Sequence, residues 1–232
     1  MRIRHAGGQA GARTAQGVAV IIDVLRAFTV SAYALDGGAK QCLLVSTVEQ
    51  AWELSAQIPG SVISAEVDGL PVAGIEISNS PTQIRQADLR GRTLIQRSSA
   101  GTQGTALAIA ADRVYAASLV VASATAWAIA NSNPTLVTLV AMGDPDGHPE
   151  DRACALYLEQ LLEGCTPNLV QLLDPLRTSD RYRGLVAGEM PGFPPTDLDL
   201  ALLADRFDFA MPVSHGRLRR EPPRSPDLPS AV

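Results

Sequence analysis

"VAVIIDVLRAFT", residues 18–29, is the stretch whose reading decides the fold: five apolar residues run directly into Asp23, and Arg26 follows three positions later. A short, wholly apolar run that ends on a polar residue reads as a strand buried on both faces. The "TVSAYALDGG" that follows reads as a helix, so "DVLRAFT" forms a strand-to-helix turn. In open α/β sheets polar function collects at such carboxyl ends of strands. The question is why a carboxylate and a guanidinium stand there together.

Moving outward, the same unit repeats. "QCLLVST", "EQAWELSAQI" and "SVISAEV" give strand, helix, strand; "TLIQR" precedes "GTALAIAADR", "RVYAAS" leads into "SATAWAIANS", and "TLVTLVAMG" precedes "EDRACALYLEQLLEG". The alternation predicts an α/β fold, a three-layer α/β/α arrangement with a largely parallel or mixed sheet, with room for two subdomains. The later segment "SDRYRGLVAGEMPGFPPTDLDLALLADRFDFAMPVSHG" reads as a helix, a Gly/Pro loop, a short helix and room for a last strand, with a packing role and no evident chemistry. One domain is expected over 1–216. From Arg217 onward, "RLRREPPRSPDLPSAV" joins charges to four prolines without apolar periodicity, and a disordered tail is expected over 217–232.

Composition narrows the function classes. The 232 residues are 46% hydrophobic but 4% aromatic, so the core must be built from Ala, Val, Leu and Ile. A formal charge of −5 offers no basic field for nucleic acid or an anionic bilayer. The N-terminal "MRIRHAGGQAGARTAQG" lacks the apolar segment of a signal peptide, and no stretch approaches the roughly 20 residues that span a membrane. A soluble, cytoplasmic protein is expected, with neither nucleic acid nor membrane as partner; an exposed apolar sheet edge or helix would favour a homodimer. Cys42, Cys154 and Cys165 are widely spaced, which argues against a disulfide framework or zinc site.

Four places could carry chemistry, each with a plain structural alternative. Asp23 could cap the next helix or pair with Arg26, yet a cation in a first helical turn opposes the helix dipole unless an anion is also bound. Aspartate at a strand end is also the nucleophile position of haloacid dehalogenase phosphatases, but Leu25 stands where their second aspartate would be. "SAEVDGLPVAGIEISNSPTQI" holds Glu66, Asp68 and Glu76, acids of the kind hard cations select, while Ser80, Pro81 and Gln83 fit a helix start. "QRSSAGTQGT" follows a strand with two serines, two glycines and two threonines, an anion cradle beside Arg97 without the ending of a nucleotide P-loop. In "MGDPDGHPEDRACALYL", Glu150 and Asp151 occupy a first helical turn, where acids are stabilising in their own right; "DPDG" reads as an Asx turn and His148 as a turn residue.

Taken in order, these pieces resemble the magnesium-dependent 2-phosphosulfolactate phosphatase family, the ComB phosphatases, over roughly Val18 to Leu162. Asp23 through Ala27 match its Asp-Val-Leu-Arg-Ala motif. "AEVDG" and "GIEISNSP" are similar to its Gly-Glu and Gly-Phe-Asp-x-Gly-Asn-Ser-Pro elements, with Glu66, Gly74, Asn79, Ser80 and Pro81 retained. "SSAGT" is similar to its Thr-Thr-Asn-Gly-Thr loop, and Glu150, Asp151, Cys154 and Ala155 fit its Glu-Asp helix start. Departures are Ala65 for glycine, Ile75 and Glu76 for Phe-Asp, Ser78 for glycine, Ala100 for asparagine and Leu156 for glycine.

The resemblance implies hydrolysis of 2-phospho-3-sulfolactate to 3-sulfolactate and phosphate, in the pathway to coenzyme M. It implies Mg2+ held by some of Asp23, Glu66, Glu76, Glu150 and Asp151. Arg26 with Ser98, Ser99, Gly101 and Thr102 would bind phosphate, and Asn79 and Ser80 would orient substrate or metal. The partner is then a small phosphorylated acid. The altered loops leave open a non-catalytic paralogue that binds such an acid without turning it over.

Overall fold

The computed structural model describes residues 1–143 and 148–222. Ten strands follow in chain order: β1 (Arg2–Gly7), β2 (Val18–Ile22), β3 (Gln41–Val45), β4 (Val62–Val67), β5 (Leu70–Pro71), β6 (Thr93–Arg97), β7 (Arg113–Ala117), β8 (Leu136–Ala141), β9 (Pro212–Ser214) and β10 (Arg217–Leu218). They form one mixed sheet of order β1-β8-β2-β7-β9-β10-β3-β6-β4-β5. The fold is α/β, as the alternation predicts.

Two parallel groups make up the sheet. β1, β8, β2 and β7 are parallel to one another, as are β3, β6 and β4. Between them the β9–β10 hairpin pairs antiparallel with β7 on one side and β3 on the other. Three successive antiparallel pairings make the two groups run in opposite senses. A flat sheet would send their carboxyl ends to opposite edges, yet residues following β2 and β6 are hydrogen-bonded to each other. The segments that follow β2 and β6 therefore meet in space although their strand groups run in opposite senses.

Alternation along β2 shows the layering. Ala19 and Ile21 enter one core cluster with the Gly8–Arg13 and Ala27–Asp36 helices, and Val18, Val20 and Ile22 enter another with the Ala122–Asn131 and Pro149–Leu162 helices. The Ala27–Asp36 helix is buried at every residue from Ala27 to Leu35, as expected of a helix apolar all round. It shares its cluster with Cys42 of β3, Leu94 of β6 and Leu218 of β10, so one core spans both strand groups.

Three elements depart from expectation. Arg2–Gly7, read above as a plain N-terminus, is the edge strand beside β8; its arginines and His5 hide the apolar signal and suit an edge that must not pair further. The predicted "GTALAIAADR" helix starts at Gly101 and ends at Leu107. The boundary set at Arg217 is corrected, because Arg217 and Leu218 form β10, Leu218 is fully buried, and Glu221 pairs with Ala210. Arg113 also donates to both Glu221 carboxylate oxygens at 2.9 Å, so residues 217–222 belong to the sheet. The rest of the expected tail and the "DPDG" turn lie outside the described residues.

Candidate active site

Asp23 leaves β2 with its carboxylate clamped between two elements. Its Oδ1 accepts from the Ala27 N–H at 3.0 Å, in the first turn of the buried helix, and its Oδ2 from the Gly101 N–H at 2.8 Å, after β6. Asp23 therefore satisfies an N–H at the helix start, as the capping alternative expects, and also ties the turn after β2 to the loop after β6. Gly101 has to be glycine, since a β-carbon there would lie 2.7 Å from Asp23 Oδ2.

Glu66, in the last turn of β4, is held by the same loop. Ser99 N–H donates to Oε1 at 2.5 Å, Gly69 N–H to Oε2 at 2.7 Å, and the Ser99 hydroxyl to Oε2 at 3.1 Å. Arg97 Nη1 donates to the Ser99 hydroxyl at 2.8 Å and to the Glu66 backbone carbonyl, so the arginine braces the loop. Ser98 and Thr102 tie the loop to itself: the Ser98 N–H donates to Thr102 Oγ1, and the Thr102 N–H to Ser98 Oγ, each at 2.9 Å. The cradle expected to bind phosphate thus directs the N–H groups of Ser98, Ser99, Gly101 and Thr102 to internal acceptors, two of them the carboxylates.

Asp151, in the first turn of the Pro149–Leu162 helix, is fixed in the same way from the segments after β2 and β8, accepting from Val24 N–H at 2.7 Å and Gly143 N–H at 2.8 Å. Glu150 differs. It is 0% exposed, no other described residue donates a hydrogen bond to either carboxylate oxygen, and its ion-pair partner is Arg181 Nε at 3.7 Å. Glu76 is exposed and, among the described residues, enters no hydrogen bond or ion pair with these loops.

The electrostatics follow from crowding these acids out of water. Burial pushes the Asp23 carboxyl up to about 6, against its backbone donors, and the Glu66 charge adds to the rise. Burial likewise pushes Glu150 up to about 7, opposed by Arg181, with Asp23 adding to it. Asp151 is raised by burial and by the charges of Asp23 and Glu150. Burial and mutual repulsion thus raise Asp23, Glu150 and Asp151 together, and a divalent cation bound there would favour their charged forms.

Arg26 is buried within electrostatic reach of Asp23 and Glu66 and is braced on one nitrogen. Its Nη1 donates to the Gly192 carbonyl at 2.5 Å and lies 3.4 Å from Asp197 Oδ2, and its guanidinium carbon sits 4.3 Å from the Phe193 ring centroid. Burial lowers its pKa, opposed mainly by Asp197. Asp197 also accepts from the Ser80 hydroxyl at 2.7 Å and from Thr82 N–H at 2.9 Å. Ser80 caps the Pro81–Gln86 helix, as its spacing predicts. Asn79, at φ +61°, accepts from Gln96 Nε2 at 2.9 Å, and Gln96 also donates to the Ala27 carbonyl at 2.7 Å. Asp197, Arg181 and Gln96 were not singled out from sequence. Asp197 and Arg181 lie in the segment read as packing, and Gln96 sits inside an apolar strand run.

Hard carboxylate oxygens and an orphaned buried carboxylate suit magnesium by donor chemistry. Among the described residues no three His, Cys, Asp or Glu side chains are already gathered in the arrangement of a metal site. Nor is any helix long and apolar enough to cross a membrane.

A family model described as 2-phosphosulpholactate phosphatase matches residues 7–200. Relatives described as probable 2-phosphosulfolactate phosphatases include one from Bacillus subtilis, 33% identical over 62% of this chain and 64% of that protein. One from Carboxydothermus hydrogenoformans is 35% identical over 62% of this chain and 59% of that protein. One from Caldanaerobacter subterraneus is 34% identical over 86% of this chain and 89% of that protein. The chain thus spans about three-fifths of the length of the first two. Its span on the family model takes in all the strand-end loops that carry Asp23, Glu66, Gly101 and Asp151, and the chain belongs to the 2-phosphosulpholactate phosphatase family.

Proposed function

We propose that the protein is a magnesium-dependent phosphatase that hydrolyses a 2-phospho acid, 2-phospho-3-sulfolactate, to 3-sulfolactate and phosphate in the cytoplasm. The observation that carries this reading is the set of four buried acids in a chain of this family: Asp23, Glu66 and Asp151 each held by two backbone N–H groups, and Glu150 with no hydrogen bond from any other described residue. Asp23, Glu66, Glu150 and Asp151 would hold Mg2+. The chemistry such a cation would supply is polarisation of the phosphoryl group and an offset to the charge developing in the displacement.

The protein's own contribution is preorganisation. Backbone donors fix three carboxylates before anything binds, so little reordering accompanies the reaction. Asp23, with both oxygens committed, serves better as a fixed carboxylate than as a nucleophile. Water is therefore the attacking group, in keeping with Leu25 at the second aspartate position of the dehalogenase scheme. The Asn79–Ser80 turn, tied to the Asp23 helix through Gln96, positions the substrate's acid end.

The test is phosphate release from a panel of 2-phospho acids with Mg2+ or with EDTA. Wild type should release phosphate with Mg2+ and at least about 100-fold more slowly in EDTA, and Asp23→Asn should lose activity by a similar factor. Binding of these ligands without release under either condition would overturn the reading.

A further inference from the structure

We infer that Arg181, in the Asp180–Ala187 helix, is an anion receptor of this site, taking an oxyanion of the substrate beside Glu150; the inference rests on the phosphatase reading. Three observations converge. Glu150 is fully buried and, among the described residues, no other residue donates a hydrogen bond to its oxygens, unlike those of Asp23, Glu66 and Asp151. Arg181 Nε is itself buried without a hydrogen bond, although 3.7 Å from Glu150 Oε1. And Arg26, the arginine that sequence puts forward for the anion, is engaged with Asp197, the Gly192 carbonyl and Phe193.

At 3.7 Å the ion pair leaves the buried carboxylate and the buried guanidinium nitrogen without a close hydrogen bond, which is costly for each. Both are satisfied at once if a cation comes to Glu150 and an oxyanion to Arg181, which is what a magnesium-bound phospho acid brings. Guanidinium suits that task, because its planar donors match carboxylate, sulfonate and phosphate oxygens. The oxyanion has two sources, the transferred phosphoryl group or the acid that remains behind.

Two variants of the full chain test this: Arg181→Gln, which keeps a donor for Glu150, and Arg181→Lys, which keeps the charge. Calorimetric titration with Mg2+ present would measure inorganic phosphate and, separately, 3-sulfolactate. Arg181→Gln should weaken one of them at least about tenfold, and Arg181→Lys should recover most of the loss. Loss confined to phosphate assigns Arg181 to the transferred group; loss confined to 3-sulfolactate assigns it to the remaining acid. Mg2+ affinity without anion should not weaken in Arg181→Gln. If neither anion moves by more than twofold, if Arg181→Lys recovers nothing, or if Mg2+ affinity falls equally, Arg181 is structural and the inference fails. Wild type that binds the anions but releases no phosphate sinks the phosphatase reading, and the same affinities still decide Arg181. Wild type that binds neither anion sinks both.

Discussion

An added β-carbon at Gly101 would meet Asp23 Oδ2 at 2.7 Å and the Ala27 β-carbon at 2.9 Å, and neither can move without leaving the buried helix start. Gly101→Ala should therefore cost about 1–3 kcal/mol in urea melts and slow Mg2+-dependent turnover at least about tenfold. Gly7→Ala, whose β-carbon would meet nothing nearer than the Ala141 carbonyl at 3.9 Å, should leave the melt within about 0.5 kcal/mol of wild type. Glu150 gives a pH signature. Its carboxyl is raised from 4.5 to about 7 in the folded protein. Below pH 4.5 it is protonated folded or unfolded and burial costs little. As pH rises to 7 the unfolded chain ionises first, so metal-free stability falls. Glu150→Gln removes that loss. In EDTA its stability relative to wild type should grow by up to about 3 kcal/mol between pH 4.5 and 7.5, and with saturating Mg2+ the order should reverse. A difference that stays flat with pH would show that Glu150 ionises normally.

The segment from Gly192 through the Pro195–Ala201 helix acts as a strap across two turns of the site, and Asp197 is its fastening. It is fully buried and takes Arg26 on one oxygen, and Ser80 and Thr82 on the other. Asp197→Asn takes from Arg26, 4% exposed, its main counter-charge, leaving only the weaker pull of Glu66 and Asp23, and should cost about 3 kcal/mol by thermal or urea unfolding. Turnover should fall as well, through the Asn79–Ser80 turn. Asp197 also marks where sequence reading stops. Asp23 was legible because a strand, a charge and a helix stand in one short run, and Glu66, Glu150 and Asp151 because acids gather at predicted strand ends. Asp197 sits more than 160 residues from Arg26 and looks like any acid in a short helix; only folding joins them. The same limit explains the loop of Ser98 to Thr102. Its glycine and hydroxyls are visible in sequence, but that its N–H groups would turn inward to Asp23 and Glu66 is decided by strands that lie side by side in space.

Across the whole molecule, the strand and helix alternation was readable from apolar periodicity, whereas the joining of the two parallel groups was not. The β9–β10 hairpin that joins them is five strand residues in a stretch rich in Pro, Arg and His, too short for a pattern to register. Its anchor is Leu218, fully buried in the core cluster that also contains Ile21 of β2, Leu94 of β6 and most of the Ala27–Asp36 helix. A core continuous through both groups should unfold as one unit. The two tryptophans allow that to be measured, since Trp52 lies in the Val48–Gln57 helix beside β3 and β6, and Trp127 in the Ala122–Asn131 helix beside β7. Both are partly exposed, at 46% and 41%, so Trp52→Phe and Trp127→Phe should be mild and should leave one reporter in each group. In urea the two single-tryptophan proteins should give the same midpoint. Leu218→Asp puts a carboxylate in the shared core and should cost more than about 3 kcal/mol. Added to each background, it should also separate the two fluorescence midpoints, because each group keeps its own strands and outer helix while the bridge between them is lost. Midpoints that stay together in Leu218→Asp would show instead that the Ala27–Asp36 helix alone couples the groups.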